Sequence, residues 1–138
     1  GGGPFKSAEI DRFKILGLDG RIEQHSIDDY TLAALYKNAI AFVFPSLYEG
    51  FGIPVLESFA AGCPLIVSNC SSLPEVAGDA AAYIDPKDGL SIINAVEKVI
   101  GDEKFRASLK AKGYEQLKKF SWEITAQKTK KIYEGIIK

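Results

Sequence analysis

Two glutamates stand eight positions apart in "PSLYEGFGIPVLESFAAGCP", residues 45–64: Glu49 at the entrance of a glycine-flanked turn and Glu57 inside an apolar run. A carboxylate among apolar residues is costly to desolvate unless it reaches water, a partner or a ligand. Spacing alone leaves two readings of Glu57 open. It is either a charge favoured by the dipole at a helix N-terminus, worth ~0.3–1 kcal/mol, or a ligand contact. The turn before it favours the second. Gly50 and Gly52 flank Phe51 between the end of an apolar strand and the start of a helix. Small residues there let a ligand approach the backbone, and unspent N–H groups at a helix N-terminus attract an anion. A phosphate would rest on the amides near Gly52 and Ile53. Glu57, one turn further in, would accept hydrogen bonds from vicinal hydroxyls such as those of a ribose, and Glu49 would do the same for a sugar. A ligand with hydroxyls on both sides of a phosphate is a nucleotide sugar.

Other chemistry-bearing residues are sparse. One histidine, His25, and two cysteines, Cys63 and Cys70, make no zinc pattern, so no metal site is expected. Both cysteines lie in or beside apolar runs, as reduced, partly buried thiols of a cytosolic protein do. The net charge of −1 hides an asymmetry. Residues 1–97 carry 6 Lys/Arg against 13 Asp/Glu, and residues 98–138 carry 11 against 5. Solvated lysine faces on the C-terminal helices account for this; attraction to anionic lipid or to a phosphorylated substrate is the sharper alternative. Nothing resembles an arginine-rich nucleic-acid footprint, so no nucleic-acid partner is expected. No apolar run approaches the ~20 residues of a membrane span, and no signal peptide is expected. A cytoplasmic location follows, with peripheral membrane contact as an addition.

The elements that must hold these residues are legible in part. Segments 21–24, 41–45, 65–68 and 81–84 read as strands; "AFVFP" and "LIVS" are continuous apolar runs, as in a parallel sheet covered on both faces. Helices are expected in "SAEIDRFKILGL", ending near Gly17, and in "DDYTLAALYKNA", capped by Asp28 or Asp29. A further helix, 53–61, has Pro54 in its first turn and Gly62 as its stop. Its apolar residues point in nearly all directions, which predicts cover on most sides. Three closing helices follow at 89–100, 103–119 and 122–137, the last with Ser121 as N-cap and Glu123 in its first turn. Alternating strands and helices give an α/β fold, and 138 residues suffice for one domain.

The segment from Glu49 to Glu57 resembles the Glu-x7-Glu motif of retaining, GT-B-fold glycosyltransferases of the group 1 type. "LAALYKNAIAFVFPS", "AAGCPLIVSN", "SSLPEVAGDAAAYIDP" and "FSWEITA" are similar to successive signatures of that family's C-terminal, donor-binding domain, in order and over nearly the whole chain. The resemblance implies a Rossmann-like parallel sheet with helices on both faces, truncated at its N-terminus, so that 1–138 is a partial nucleotide-sugar-binding domain. It implies roles as well. Glu57 would hold the donor ribose, and Phe51, Gly52 and Ile53 would present backbone to the diphosphate and sugar. Glu49, the catalytic residue, would contact hydroxyls of the transferred hexose as an orienting and electrostatic group. His25, Ser26 and Ile27, in the turn after the first strand, would flank the base. The family has glycine where His25 stands, and His25 reads equally as a turn residue or a stacking partner.

The activity implied is metal-independent, retaining transfer of a hexose from a nucleoside diphosphate to a hydroxyl acceptor, with no cofactor. The acceptor, saccharide, lipid-linked or other, would be held by a separate N-terminal domain. The basic pair that neutralises the diphosphate would also lie upstream, so the fragment alone is expected to be inactive. An epimerase or phosphorylase of the same fold, and a non-catalytic nucleotide-binding or scaffold domain, are the alternative readings. The family's strand order, 3-2-1-4-5-6, would make the four strands numbers 3 to 6, with a stub of strand 2 at residues 1–3. That order leaves a gap about 10 Å wide beside 41–45. An upstream segment, a second copy, or segment 21–24 sliding in beside 41–45 would fill it.

Overall fold

A computed structural model describes residues 3–136. The chain divides into two units, Gly1–Leu32 and Ala33–Lys138. In the first, α1 (Ser7–Ile15) is entered by a hydrogen bond from the Lys6 N–H to the Glu9 carboxylate, 2.8 Å. It closes near Gly17 as the sequence predicts: Gly17 N–H bonds the Lys14 carbonyl and Leu18 N–H bonds that of Phe13. These two bonds are the paired closure of a Schellman motif. Phe5 packs edge-on against Phe13, 5.1 Å between centroids.

Helix α2 (Asp29–Asn38) runs across the boundary in sequence. Of the two aspartates considered, Asp28 is the cap. Its carboxylate accepts from Thr31 N–H at 2.8 Å, and those hydrogen bonds hold its pKa below the ordinary carboxylate value.

The second unit is built on a parallel sheet of β1 (Phe42–Phe44), β2 (Leu65–Ser68) and β3 (Ala81–Ile84), in the order β1-β2-β3. Between and after the strands come α3 (Ile53–Ala60), α4 (Leu73–Ala77), α5 (Gly89–Gly101), α6 (Glu103–Leu117) and α7 (Trp122–Ile136). The central strand is buried along its whole length, and its alternating side chains serve two cores, as the pleat requires. Leu65 and Val67 pack with Val55, Phe59, Leu73 and Val76 on one face. Ile66 packs with Ile84, Val99 and Leu109 on the other. The parallel sheet with helices on both faces is therefore the fold class the sequence predicts. α6 contributes to both cores, Leu109 to one and Leu117 to the edge of the other. It comes so close to α3 that a Cβ added at Gly113 would lie 2.8 Å from the Phe59 ring.

Asp88 and Asp102 cap α5 and α6 by accepting from Leu90 and Phe105 N–H groups. Ser121 caps α7 as expected, accepting from Ile124 N–H at 3.1 Å.

Three expectations need correction. Segment 21–24 is not a strand; its residues are turn and irregular chain. In the described sheet β1 pairs with β2 alone. A strand exists only as half of a ladder, and "RIEQ" offers one branched apolar residue to hold it in one. Segment 73–77 is a short helix that the sequence reading left out, because five residues with Pro74 in the first turn show no periodicity. Finally, α3 is not covered on most sides: Ile53, Glu57 and Ala60 form one exposed stripe, while Val55, Ser58 and Phe59 are buried. Of the strand stub expected at residues 1–3, Gly3 is irregular chain and residues 1–2 lie outside the described residues, as does residue 137, the expected end of the last helix.

Candidate functional site

The turn from β1 into α3 is made at Gly52, whose φ of 95° is a left-handed value that glycine takes without steric strain. Its backbone is also crowded, since an added Cβ would lie 2.8 Å from Leu73 Cδ2. Pro54 occupies the first turn, where a helix needs no N–H from it, and Val55 N–H closes back on the Gly52 carbonyl at 3.0 Å. The helix ends at Gly62, φ 67°, with Gly62 N–H on the Phe59 carbonyl and Cys63 N–H on that of Ser58. Both sequence signals thus act as expected. Among the described residues, no hydrogen bond uses the N–H groups of Phe51, Gly52 or Ile53. Three donors are therefore left at the helix N-terminus, the arrangement that attracts an anion.

Glu57 lies on the open stripe of α3, one turn beyond Ile53, which is 58% exposed. The desolvation argument that singled it out does not apply, because its carboxylate reaches solvent. From α2, the buried Tyr36 donates its hydroxyl to Glu57 Oε2 at 3.4 Å and packs edge-on against Phe42, 5.0 Å between centroids. Burial first, and then the Glu57 charge, push the Tyr36 phenol up to about 12.

Glu49 is half-buried. Its Oε1 accepts from Ser46 Oγ at 2.9 Å, its N–H donates to Ser71 Oγ at 3.1 Å, and its carbonyl accepts from Ser72 Oγ at 2.9 Å. The Ser72 hydroxyl also lies 3.1 Å from the Phe51 carbonyl. The Cys70 thiol donates weakly to the Ser46 and Leu47 carbonyls, at 3.5 and 3.4 Å. Phe51 is steadied from the far side by an edge-to-face contact with Phe120, 5.8 Å between centroids.

Glu49, Phe51, Gly52, Ile53 and Glu57 thus share one turn-and-helix segment of the second unit. His25, Ser26 and Ile27 belong to the first unit, where His25 Nε2 lies 2.8 Å from Glu23 Oε2 with both side chains exposed. Sequence reasoning missed Tyr36, Ser46, Ser71, Ser72 and Phe120. A signal existed for the serine pair. "NCSS" follows β2 directly, and ligands of open α/β sheets bind outside the carboxyl ends of strands, the same rule that drew attention to Glu49. Cys63 is buried, Cys70 is partly so, and neither is bridged in a disulfide; burial pushes the Cys63 thiol up, against a smaller opposing pull from Lys110. Among the described residues no group of three His, Cys, Asp or Glu side chains gathers to hold a metal ion, and no helix is long and apolar enough to cross a membrane.

This geometry has relatives. O-antigen chain mannosyltransferase B of Escherichia coli is 42% identical over 108 residues, covering 78% of this chain and 28% of that protein. The serotype-specific mannosyltransferase WbdA of Escherichia coli is 46% identical over 100 residues, covering 72% of this chain and 12% of that protein. The chain thus spans well under a third of either relative. Among solved structures, sucrose-phosphate synthase from Thermosynechococcus elongatus superposes with a TM-score of 0.79 at 28% identity, over 99% of this chain and 37% of that one. The C-terminal domain of a glycosyl transferase group 1 family protein from Francisella tularensis gives 0.69 at 27% identity, over 79% and 58%. The family model described as glycosyl transferases group 1 matches residues 1–116. A match over most of the chain settles its kinship: it belongs to the glycosyl transferases group 1 family.

Proposed function

We propose that residues 1–138 supply most of the donor site of a metal-independent, retaining hexosyltransferase, and that the hexose is mannose carried on a nucleoside diphosphate. The observation that carries this reading is the conjunction at α3: three unspent amides at Phe51–Ile53 and an exposed carboxylate, Glu57, one turn further along. The amides suit the diphosphate, Glu57 suits the ribose hydroxyls, and Glu49 suits hydroxyls of the hexose. The bond between the anomeric carbon and the diphosphate oxygen breaks as the acceptor oxygen bonds the same face of that carbon and gives up its proton to the departing diphosphate oxygen, which preserves the configuration. The acceptor hydroxyl, on a saccharide or a lipid-linked chain, is held by another domain. Mannose is favoured by the two mannosyltransferase relatives above, while the likeness to sucrose-phosphate synthase favours a glucose donor as the second reading.

A thermal-shift panel of the full-length protein with UDP-, GDP- and ADP-linked mannose and glucose tests both. At a hundred times its dissociation constant the correct donor adds about 2.7 kcal/mol of stability. A panel in which no nucleotide sugar raises the melting temperature overturns the donor reading, and a response to glucose forms alone selects the second.

The unbridged cysteines support a cytoplasmic location. The exposed Lys110, Lys112, Lys118 and Lys119 of the α6 segment, with Lys128, Lys130 and Lys131 of α7, support attraction to anionic lipid. Co-sedimentation with phosphatidylglycerol vesicles, lost in half-molar salt, is the expected result; equal recovery with neutral vesicles removes the lipid role.

A further inference from the structure

Glu49 is held at every polar group but one. Its N–H is taken by Ser71 Oγ, its carbonyl by the Ser72 hydroxyl and its Oε1 by the Ser46 hydroxyl, at 3.1, 2.9 and 2.9 Å. Among the described residues, no hydrogen bond reaches Oε2. The three serines come from two loops that leave the sheet side by side. Phe44 pairs with Val67 at the end of the β1–β2 ladder, so the segment after β1 and the segment after β2 emerge together. Ser71 is the only non-glycine residue with a positive φ, 51°, among the described residues. A serine held there, at a steric cost of about 1 kcal/mol or more, is fixed by its surroundings, and the Glu49 N–H bond is among the contacts that fix it. Ser46 has a single proton and two acceptors in reach, Glu49 Oε1 at 2.9 Å and the Tyr48 carbonyl at 3.1 Å; the charged and nearer acceptor is favoured.

We propose that Ser46, Ser71 and Ser72 are positioning residues that fix Glu49 and reserve its Oε2 for a hydroxyl of the transferred hexose. The proposal rests on the donor reading above and adds to it the means by which one rotamer of Glu49 is chosen. Preorganising an acceptor in this way concentrates the effect of the three serines on the sugar and spares the nucleotide, which Glu57 and the α3 amides hold independently.

Two measurements on the full-length enzyme test this. The first is hydrogen exchange across residues 47–53. Ser71→Gly, which keeps the left-handed backbone comfortable, and Ser72→Ala should each speed exchange of the Glu49 amide at least tenfold. Ser72→Thr, which keeps a hydroxyl, should not. Unchanged exchange in the first two variants overturns the clamp whatever the donor proves to be. The second compares binding of GDP with binding of GDP-mannose, or of the matching pair for the nucleotide that the donor panel selects. Ser46→Ala should weaken the sugar-bearing ligand at least tenfold, leave the bare diphosphate within twofold, and be rescued by Ser46→Thr. Equal losses for both ligands, or none, overturn the positioning role. If the wild-type enzyme gains no affinity from the hexose on any nucleotide, the donor reading of Glu49 fails, and the exchange measurement still decides the clamp.

Discussion

Tyr36 and Glu57 share a hydrogen bond across opposite surroundings: the phenol is buried and the carboxylate is in solvent. Removing either partner therefore has a different effect. Glu57→Ala orphans only the Tyr36 hydroxyl, whose bond to the carboxylate is long, 3.4 Å. Stability should stay within about 0.5 kcal/mol of wild type. Donor affinity should fall by ~1.5–3 kcal/mol, the scale of hydrogen bonds to a charged group. Calorimetry of the full-length variant checks both, and unchanged nucleotide affinity would remove Glu57 from the ribose. Tyr36→Phe removes a long bond, worth about 0.5 kcal/mol near neutrality.

Its larger signature is in pH. The Tyr36 phenol rises from 10.0 to about 12 in the fold, so the native state favours the protonated hydroxyl. The stability this confers is whole below pH 10 and is lost as pH climbs towards 12. Denaturant titrations from pH 9 to 12 should show a steeper loss in wild type than in Tyr36→Phe. Parallel curves would mean that Tyr36 does not carry the shift.

At the scale of elements, the contact that fixes α3 is its crossing with α6 at Gly113. Alanine there gains roughly 1 kcal/mol of helix propensity, but its Cβ would meet Phe59 Cδ1 at 2.8 Å. Phe59 is 2% exposed and sits within the core with Leu65, Val67 and Leu73, so its ring cannot swing away as a flexible chain end would. Overpacking of about 1–3 kcal/mol therefore wins. Gly113→Ala should lower the melting temperature and, by tilting α3, weaken donor binding as well. A Gly113→Ala protein of raised melting temperature would show that the helices separate at no cost. The same crossing explains why α3 is open on only one stripe: α6 covers its far side, and Ile53, Glu57 and Ala60 are the residues turned from it.

For the molecule as a whole, the proposed activity needs more chain than these 138 residues, whose matched 108 cover 28% of O-antigen chain mannosyltransferase B. The unspent amides at α3 supply partial positive charge only, and a departing diphosphate calls for full cations as well. The purified 138-residue chain should accordingly transfer no sugar and bind a nucleoside diphosphate weakly. A radiolabelled-donor assay showing transfer by this chain alone would mean that acceptor and cations are both found within it.

The sequence by itself determined the features whose signals are local. "LIVS" is apolar without interruption because β2 is buried on both faces, and no neighbour had to be known to read it so. Pro54 and Gly62 bound α3, and Asp28 and Ser121 begin their helices, because capping acts within one turn of chain. Gly52, at the entrance of α3, was legible from its place before the apolar run for the same reason. Only the tertiary structure decided what depends on which segments meet. Segment 21–24 forms no ladder, and strand formation belongs to pairs. Helix α3 carries apolar residues all round, but which side lies open was settled by where α4, α6 and β2 pack. Ser46 and the Ser71–Ser72 pair lie some 25 positions apart in the chain. They converge on Glu49 because parallel pairing of β1 with β2, Phe44 opposite Val67, brings the two loops out of the sheet at the same end.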